Sequence, residues 1–152
     1  MRAINHALVG GIIGLSVGNP VVALPLAFAS HFVLDTVPHH GWKNNTRAAA
    51  RRLDFKVMLA IDAVLCGLLV TLLYIHHPAH YWTAIFGAFL AASPDLYSLP
   101  RFLYANGVGK PDKRNVFRRF HKGIQWFERP IGAVVELTVF ISASYTLLSL
   151  IQ

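Results

Sequence analysis

Residues 23–40 read Ala-Leu-Pro-Leu-Ala-Phe-Ala-Ser-His-Phe-Val-Leu-Asp-Thr-Val-Pro-His-His. The run is apolar enough to suit a membrane span, yet it carries His31 and Asp35 near its end, with His39 and His40 just past Pro38. The i, i+4 spacing stacks His31 and Asp35 on one face of a helix. Ionisable groups are costly in lipid, so this face must turn toward protein, water or a metal ion. The other apolar segments each bring an ionisable group of their own, and the central question is whether these groups converge.

Working outward, Gly18-Asn19-Pro20 reads as a turn, with Asn19 as N-cap and Pro20 at the first helical position of a second segment that runs from about Pro20 to Val37 and stops before Pro38. Before it lies an apolar segment over Ala3 to Val17. After Pro38 comes a basic loop to Lys56, then a span over about 55–74, the short link His76-His77-Pro78, and a fourth segment over about 80–97. A long basic region follows, and a last span covers 130–151. Arg2, an apolar run and Ala27-Phe28-Ala29 superficially fit a signal peptide, but Asn19-Pro20 breaks the run and it continues past that point to Leu34. Two uncleaved helices are the expectation.

Composition agrees. Of 152 residues, 55% are hydrophobic and 14% charged, against roughly a quarter charged in a soluble domain. The length allows one domain, residues 1–152. The lone Cys66 excludes an internal disulfide. The net charge of +7 is compatible with nucleic acid, but its distribution favours a membrane surface. All 14 Lys and Arg residues fall at Arg2, in the loop after Pro38 and its flank, and in the region after the fourth segment. The turn at Asn19, the link at His76 and the C-terminus hold none. That alternation is what the positive-inside rule requires of five spans with the N-terminus cytoplasmic and the C-terminus outside. The expected fold is all-α: a polytopic helical bundle of about five transmembrane helices plus one amphipathic helix on the cytoplasmic surface.

The surface helix is read over 112–127, where Val116, Phe117, Phe120, Ile124 and Phe127 recur at helical spacing, flanked by Arg114, Arg118, Arg119 and Lys122. Anchoring to anionic inner-leaflet lipid explains these cations as well as substrate binding does. A weak repeat relates the hairpins 3–38 and 55–98: His6-Ala-Leu-Val-Gly-Gly11 resembles Asp62-Ala-Val-Leu-Cys-Gly67, and Asp35 and Asp95 each close a second helix.

By this topology His6, Asp35, Asp62 and Asp95 lie toward the cytoplasmic side, with His121 on the surface helix and Glu136 about two turns into the last span. Small residues mark the inward faces: His6, Gly10, Gly14 and Gly18 form one stripe, Ala23, Ala27, His31 and Asp35 a second, and Thr83, Gly87, Ala91 and Asp95 a third. The glycine stripe suits a homodimer as well as internal packing. Imidazoles and carboxylates without a thiolate cluster fit a divalent metal, Zn or Mn first, in unknown number. Candidate ligands are His6, His31, Asp35, Asp62, Asp95 and His39. His121 and Glu136 are candidate proton shuttles, and Arg118, Arg119 and Lys122 candidate phosphate-binding groups. Against this stands a structural account, with His31 and Asp35 as a hydrogen-bonded pair and Ser93-Pro94-Asp95 as helix-end chemistry.

At His6, His31-x-x-x-Asp35-x-x-Pro38-His39 and Pro94-Asp95, the chain resembles the small bacterial inner-membrane proteins called membrane-bound metal-dependent hydrolases. That family is similar, more distantly, to the helical zinc-dependent phospholipases C. The resemblance implies a hydrolase acting on a small phosphorylated or lipid-linked phosphoester. The competing expectation is a non-enzymatic membrane protein, either an ion or proton carrier or a scaffold for anionic lipid.

Overall fold

The computed structural model describes residues 1–40, 47–110, 116–125 and 131–152, and of Arg47 and Arg118 the backbone alone. Among these residues there are eight helices and no strand: α1 (Ala3–Val17), α2 (Pro20–Thr36), α3 (Arg47–Arg51), α4 (Leu53–His76), α5 (Tyr81–Leu96), α6 (Leu99–Ala105), α7 (Val116–Ile124) and α8 (Gly132–Leu150).

The boundaries follow local chemistry. The Asn19 side chain accepts from the Val21 N–H at 2.9 Å and Pro20 opens α2. Gly18, at φ +69°, closes α1 in a conformation that favours glycine. α4 ends on His77 in the left-handed region. Pro94, inside α5, removes one backbone donor, and the Ser93 hydroxyl supplies another to the Leu90 carbonyl at 2.9 Å. The short α6 is absent from the sequence expectation, although Pro100 in its first turn is a helix-start signal.

α1 is the central element, packed against α2, α4, α5 and α8. Its partner across the tightest seam is α5. A Cβ on Gly10 would collide with the Gly87 carbonyl and the Ala91 methyl, one on Gly14 with the Ala84 backbone, and one on Gly87 with the Gly10 carbonyl. The two backbones therefore touch with no side chain between them, as small residues permit in membrane helices. The glycine stripe of α1 is occupied by α5. Around the seam, Leu8, Leu15, Leu69, Leu73, Ala88 and Leu147 form the buried apolar core.

Two helices, α4 with 24 residues and α8 with 19, are long and apolar enough to cross a membrane. At 1.5 Å per residue they reach about 36 and 28 Å, close to the roughly 30 Å hydrocarbon layer. Only 17% of each apolar stretch is buried, unlike the core helix of a soluble domain. α1, α2 and α5, at 15, 17 and 16 residues, are shorter, so length alone reduces the expected five spans to two. Of the expected surface helix 112–127, Val116–Ile124 is helical, and Arg114 and Phe127 lie outside the described residues.

Gly87→Leu should destabilise the chain by about 1–3 kcal/mol or more through forced separation of α1 and α5. Gly67→Ala, whose new Cβ meets nothing within 4 Å, should leave stability unchanged or slightly raised. Thermal unfolding of the detergent-solubilised variants checks both. An unchanged midpoint for Gly87→Leu would refute the close seam.

Candidate metal centre

The site forms where the end of α2, the end of α5, the start of α1 and the inner face of α7 meet. α2 carries His31 and Asp35 on the face that buries Ala23 and Ala27, and both polar residues are fully buried. α5 brings Asp95, whose side chain keeps 32% exposure. α7 brings His121, which is 6% exposed. His31, Asp35, Asp95 and His121 each offer a ligand atom, and these atoms lie within 4.8 Å of one another.

The hydrogen bonds set the chemistry of the two imidazoles. His31 Nδ1 lies 2.8 Å from the Ala91 carbonyl, which can only accept, so Nδ1 carries the proton. His31 Nε2 is then aimed into the cluster, the arrangement usual for a metal-binding histidine whose other nitrogen is held by a carbonyl. It faces His121 Nε2 at 3.0 Å, Asp35 Oδ2 at 3.3 Å and Asp95 Oδ1 at 3.9 Å. His121 Nε2 in turn lies 3.1 Å from Asp35 Oδ2 and 3.8 Å from Asp95 Oδ1. Two ring nitrogens and two carboxylate oxygens thus converge on one small volume. This N₂O₂ donor set suits a divalent metal ion.

His6, from the first turns of α1, stacks on His31 with ring centroids 4.0 Å apart. Its Nε2 contacts Asp35 Oδ1 at 3.2 Å, and its Nδ1 is buried without a hydrogen-bond partner. Buried polar atoms are almost always satisfied, so the unmet Nδ1 beside a ready-made donor set fits a site built around a further group. The α-amino group of Met1 lies 2.6 Å from Asp35 Oδ1. Gln125, one turn after His121, donates to Asp35 Oδ2 at 3.0 Å. Gln125 was missed by sequence reasoning, and only its i+4 relation to His121 pointed to it.

The remaining candidates stand apart from the four-residue cluster. Asp62, 5% exposed on α4, pairs with Arg2 at 3.0 Å. Its choice of Arg2 reflects how α4 lies against the start of α1. His39 is buried, but its Nδ1 donates to the Val37 carbonyl at 2.8 Å, and its backbone packs against Gly132 at the start of α8. Glu136, 6% exposed, lines a cavity between α1, α4 and α8 with Arg2, Asn5 and His40. Arg119 and Lys122 lie on the exposed side of α7, and the Arg118 side chain lies outside the described residues.

α7 is held to the bundle chiefly through α2. Phe32 meets Phe117 and Phe120 at centroid distances of 6.3 and 5.6 Å, and Tyr97 meets Phe117 edge-on at 5.0 Å. Phe32→Ala should therefore loosen α7 and raise amide hydrogen exchange across 116–125 several-fold, leaving α1 and α5 protected. Equal protection in the variant would show that the polar contacts hold α7 alone. No protein-family model, no curated protein and no solved structure matches this chain.

Proposed function

We propose that this chain is a membrane-embedded, metal-dependent hydrolase acting on a phosphoester, and that the bundle sits in the membrane as a multi-pass protein with the N-terminus on the cytoplasmic side. The observation that carries the proposal is the pair of Nε2 atoms facing each other at 3.0 Å between two carboxylates, with His31 Nδ1 already engaged. Two ring nitrogens in that arrangement share one proton or hold one cation.

In this reading His31, His121, Asp35 and Asp95 would hold the ion. A bound divalent ion supplies a water acidified to a pKa of about 7 and polarises a phosphoryl oxygen. Gln125 steadies Asp35 through its amide N–H. His6 Nε2 is placed to take a proton on the far side of Asp35. His121 belongs with the ligands, so the shuttle role suits His6 better. Asp95, the most exposed of the four, marks the side from which water and substrate approach. Arg119 and Lys122, exposed on the same helix as His121, suit the anionic head group of a lipid-linked substrate or of the surrounding leaflet.

Membrane placement draws on the outward apolar surface: Val21, Leu26 and Val33 on α2, Val64, Leu68 and Ile75 on α4, and Val134, Ile141 and Tyr145 on α8 are all exposed. The phosphoester class rests on the resemblance noted above and on the basic rim. An ion-carrier role finds less support. Between the cluster and the opposite end of the bundle, the described interior is lined by Gly10, Gly14, Leu15, Ala84, Ala88 and Leu73, which offer no chain of ionisable groups.

Purified protein should contain close to one equivalent of divalent metal. Asp35→Asn and His31→Ala should each lower it at least about ten-fold, with α-helical content kept. Phosphoester hydrolysis across a substrate panel should vanish with chelator and return on adding zinc or manganese. Folded wild-type protein that takes up no metal would overturn the proposal.

A further inference from the structure

The four ligand-bearing residues of the metal centre are unequally anchored. His31 and Asp35 on α2 and Asp95 on α5 belong to helices packed on each other and on α1. His121 comes from α7, which meets the bundle chiefly through α2. α7 spans nine residues, and helices that short are marginal without a partner to pack on. Its apolar hold is partial: Phe117 packs on Phe32 and Tyr97, while Val116 is 82% exposed and Phe120 55%. Its polar side reaches further in, with His121 Nε2 at 3.1 Å and the Gln125 amide at 3.0 Å from Asp35 Oδ2.

Without an ion, the 3.0 Å contact between His121 Nε2 and His31 Nε2 is worth one hydrogen bond, and only with a single proton between the rings. An ion offers much more. A tetrahedral divalent ion with arms of about 2.0–2.1 Å sets its ligand atoms about 3.3–3.4 Å apart. His121 Nε2 stands 3.0, 3.1 and 3.8 Å from its counterparts on His31, Asp35 and Asp95, spacings that bracket this value. The docked position of α7 is thus already the coordinating one. Docked, α7 leaves Asp95 as the one ligand of the four with substantial exposure.

We infer that the ion latches α7 over the site: His31, Asp35 and Asp95 capture it from the bundle side, and His121 closes on it as the fourth ligand, so that α7 is held tightly in the loaded protein and loosely in the metal-free one. The inference rests on the metal reading of the cluster and is independent of hydrolysis. Reciprocity fixes its size, because the factor by which docked His121 tightens ion binding is the factor by which the ion favours docking.

The test uses the full chain in nanodiscs, stripped with chelator or loaded with zinc, and reads amide hydrogen exchange with metal content measured on the same samples. Zinc should raise protection across 116–125 about ten-fold or more and leave the seam between α1 and α5 unchanged. His121→Ala should weaken zinc affinity by a similar factor and erase the effect of zinc on 116–125, with protection of the seam showing that the variant is folded. Wild type that binds zinc with unchanged protection of α7, or with an equal rise in every helix, would overturn the inference and leave the metal centre standing. Wild type that binds no zinc would overturn the metal centre, and the latch with it. The wild-type comparison is decisive alone, so a His121→Ala chain that failed to fold would not rescue the idea.

Discussion

The architecture depends on one steric constraint: the backbones of α1 and α5 lie in contact at Gly10–Gly87 and Gly14–Ala84. Any side chain in that seam would push the helices apart. Small residues let the two backbones touch, and that close packing carries much of the association between these helices. The same approach puts the first turns of α1 beside the ends of α2 and α5, where His6 stacks on His31 and His31 reaches the Ala91 carbonyl. The chemistry at the bundle's end is thus inherited from a contact that contains no chemistry.

Asp35 shows how the charge problem is handled. It is fully buried, and a lone carboxylate there would be expensive. It is surrounded instead by the Met1 amine, His6, His31, His121 and the Gln125 amide, contributed by three separate helices and the chain start. A group with that many neighbours holds the assembly together at its end much as the glycine seam does along its length. α7 gains its polar anchorage in the same place, which makes a surface element depend on an interior acid.

Much of this was legible in the residues. The Asn19-Pro20 turn, the three small-residue stripes and the i, i+4 pair His31 and Asp35 are local patterns, and local patterns survive folding. Asp95 and His121 could be placed at the same end because chain topology alone decides which end of a helix a residue occupies. Partner choice was less accessible. Asp62 pairs with Arg2, and Glu136 faces a cavity beside Asn5, because helix crossings choose between flanks of α1 that the sequence does not distinguish. Gln125 carries no charge and stood in no motif. Of the five expected spans, α4 and α8 reach the length of a crossing, and α1, α2 and α5 fall short of it.

The far end of the bundle has a bearing on the near one. Gly18, at its positive φ, leaves room for the His80 ring, where a Cβ would strike it, and the Thr83 hydroxyl donates to the Gly18 carbonyl at 3.1 Å. This clasp joins the α1–α2 corner to the start of α5. α1 and α5 are thereby pinned at one extremity and meshed along their shared flank, so neither can slip by a turn relative to the other. The spacing of imidazoles and carboxylates is consequently gauged from the opposite pole of the molecule, about 18 Å away along α1 at 1.5 Å per residue, by a corner that holds none of the reactive groups.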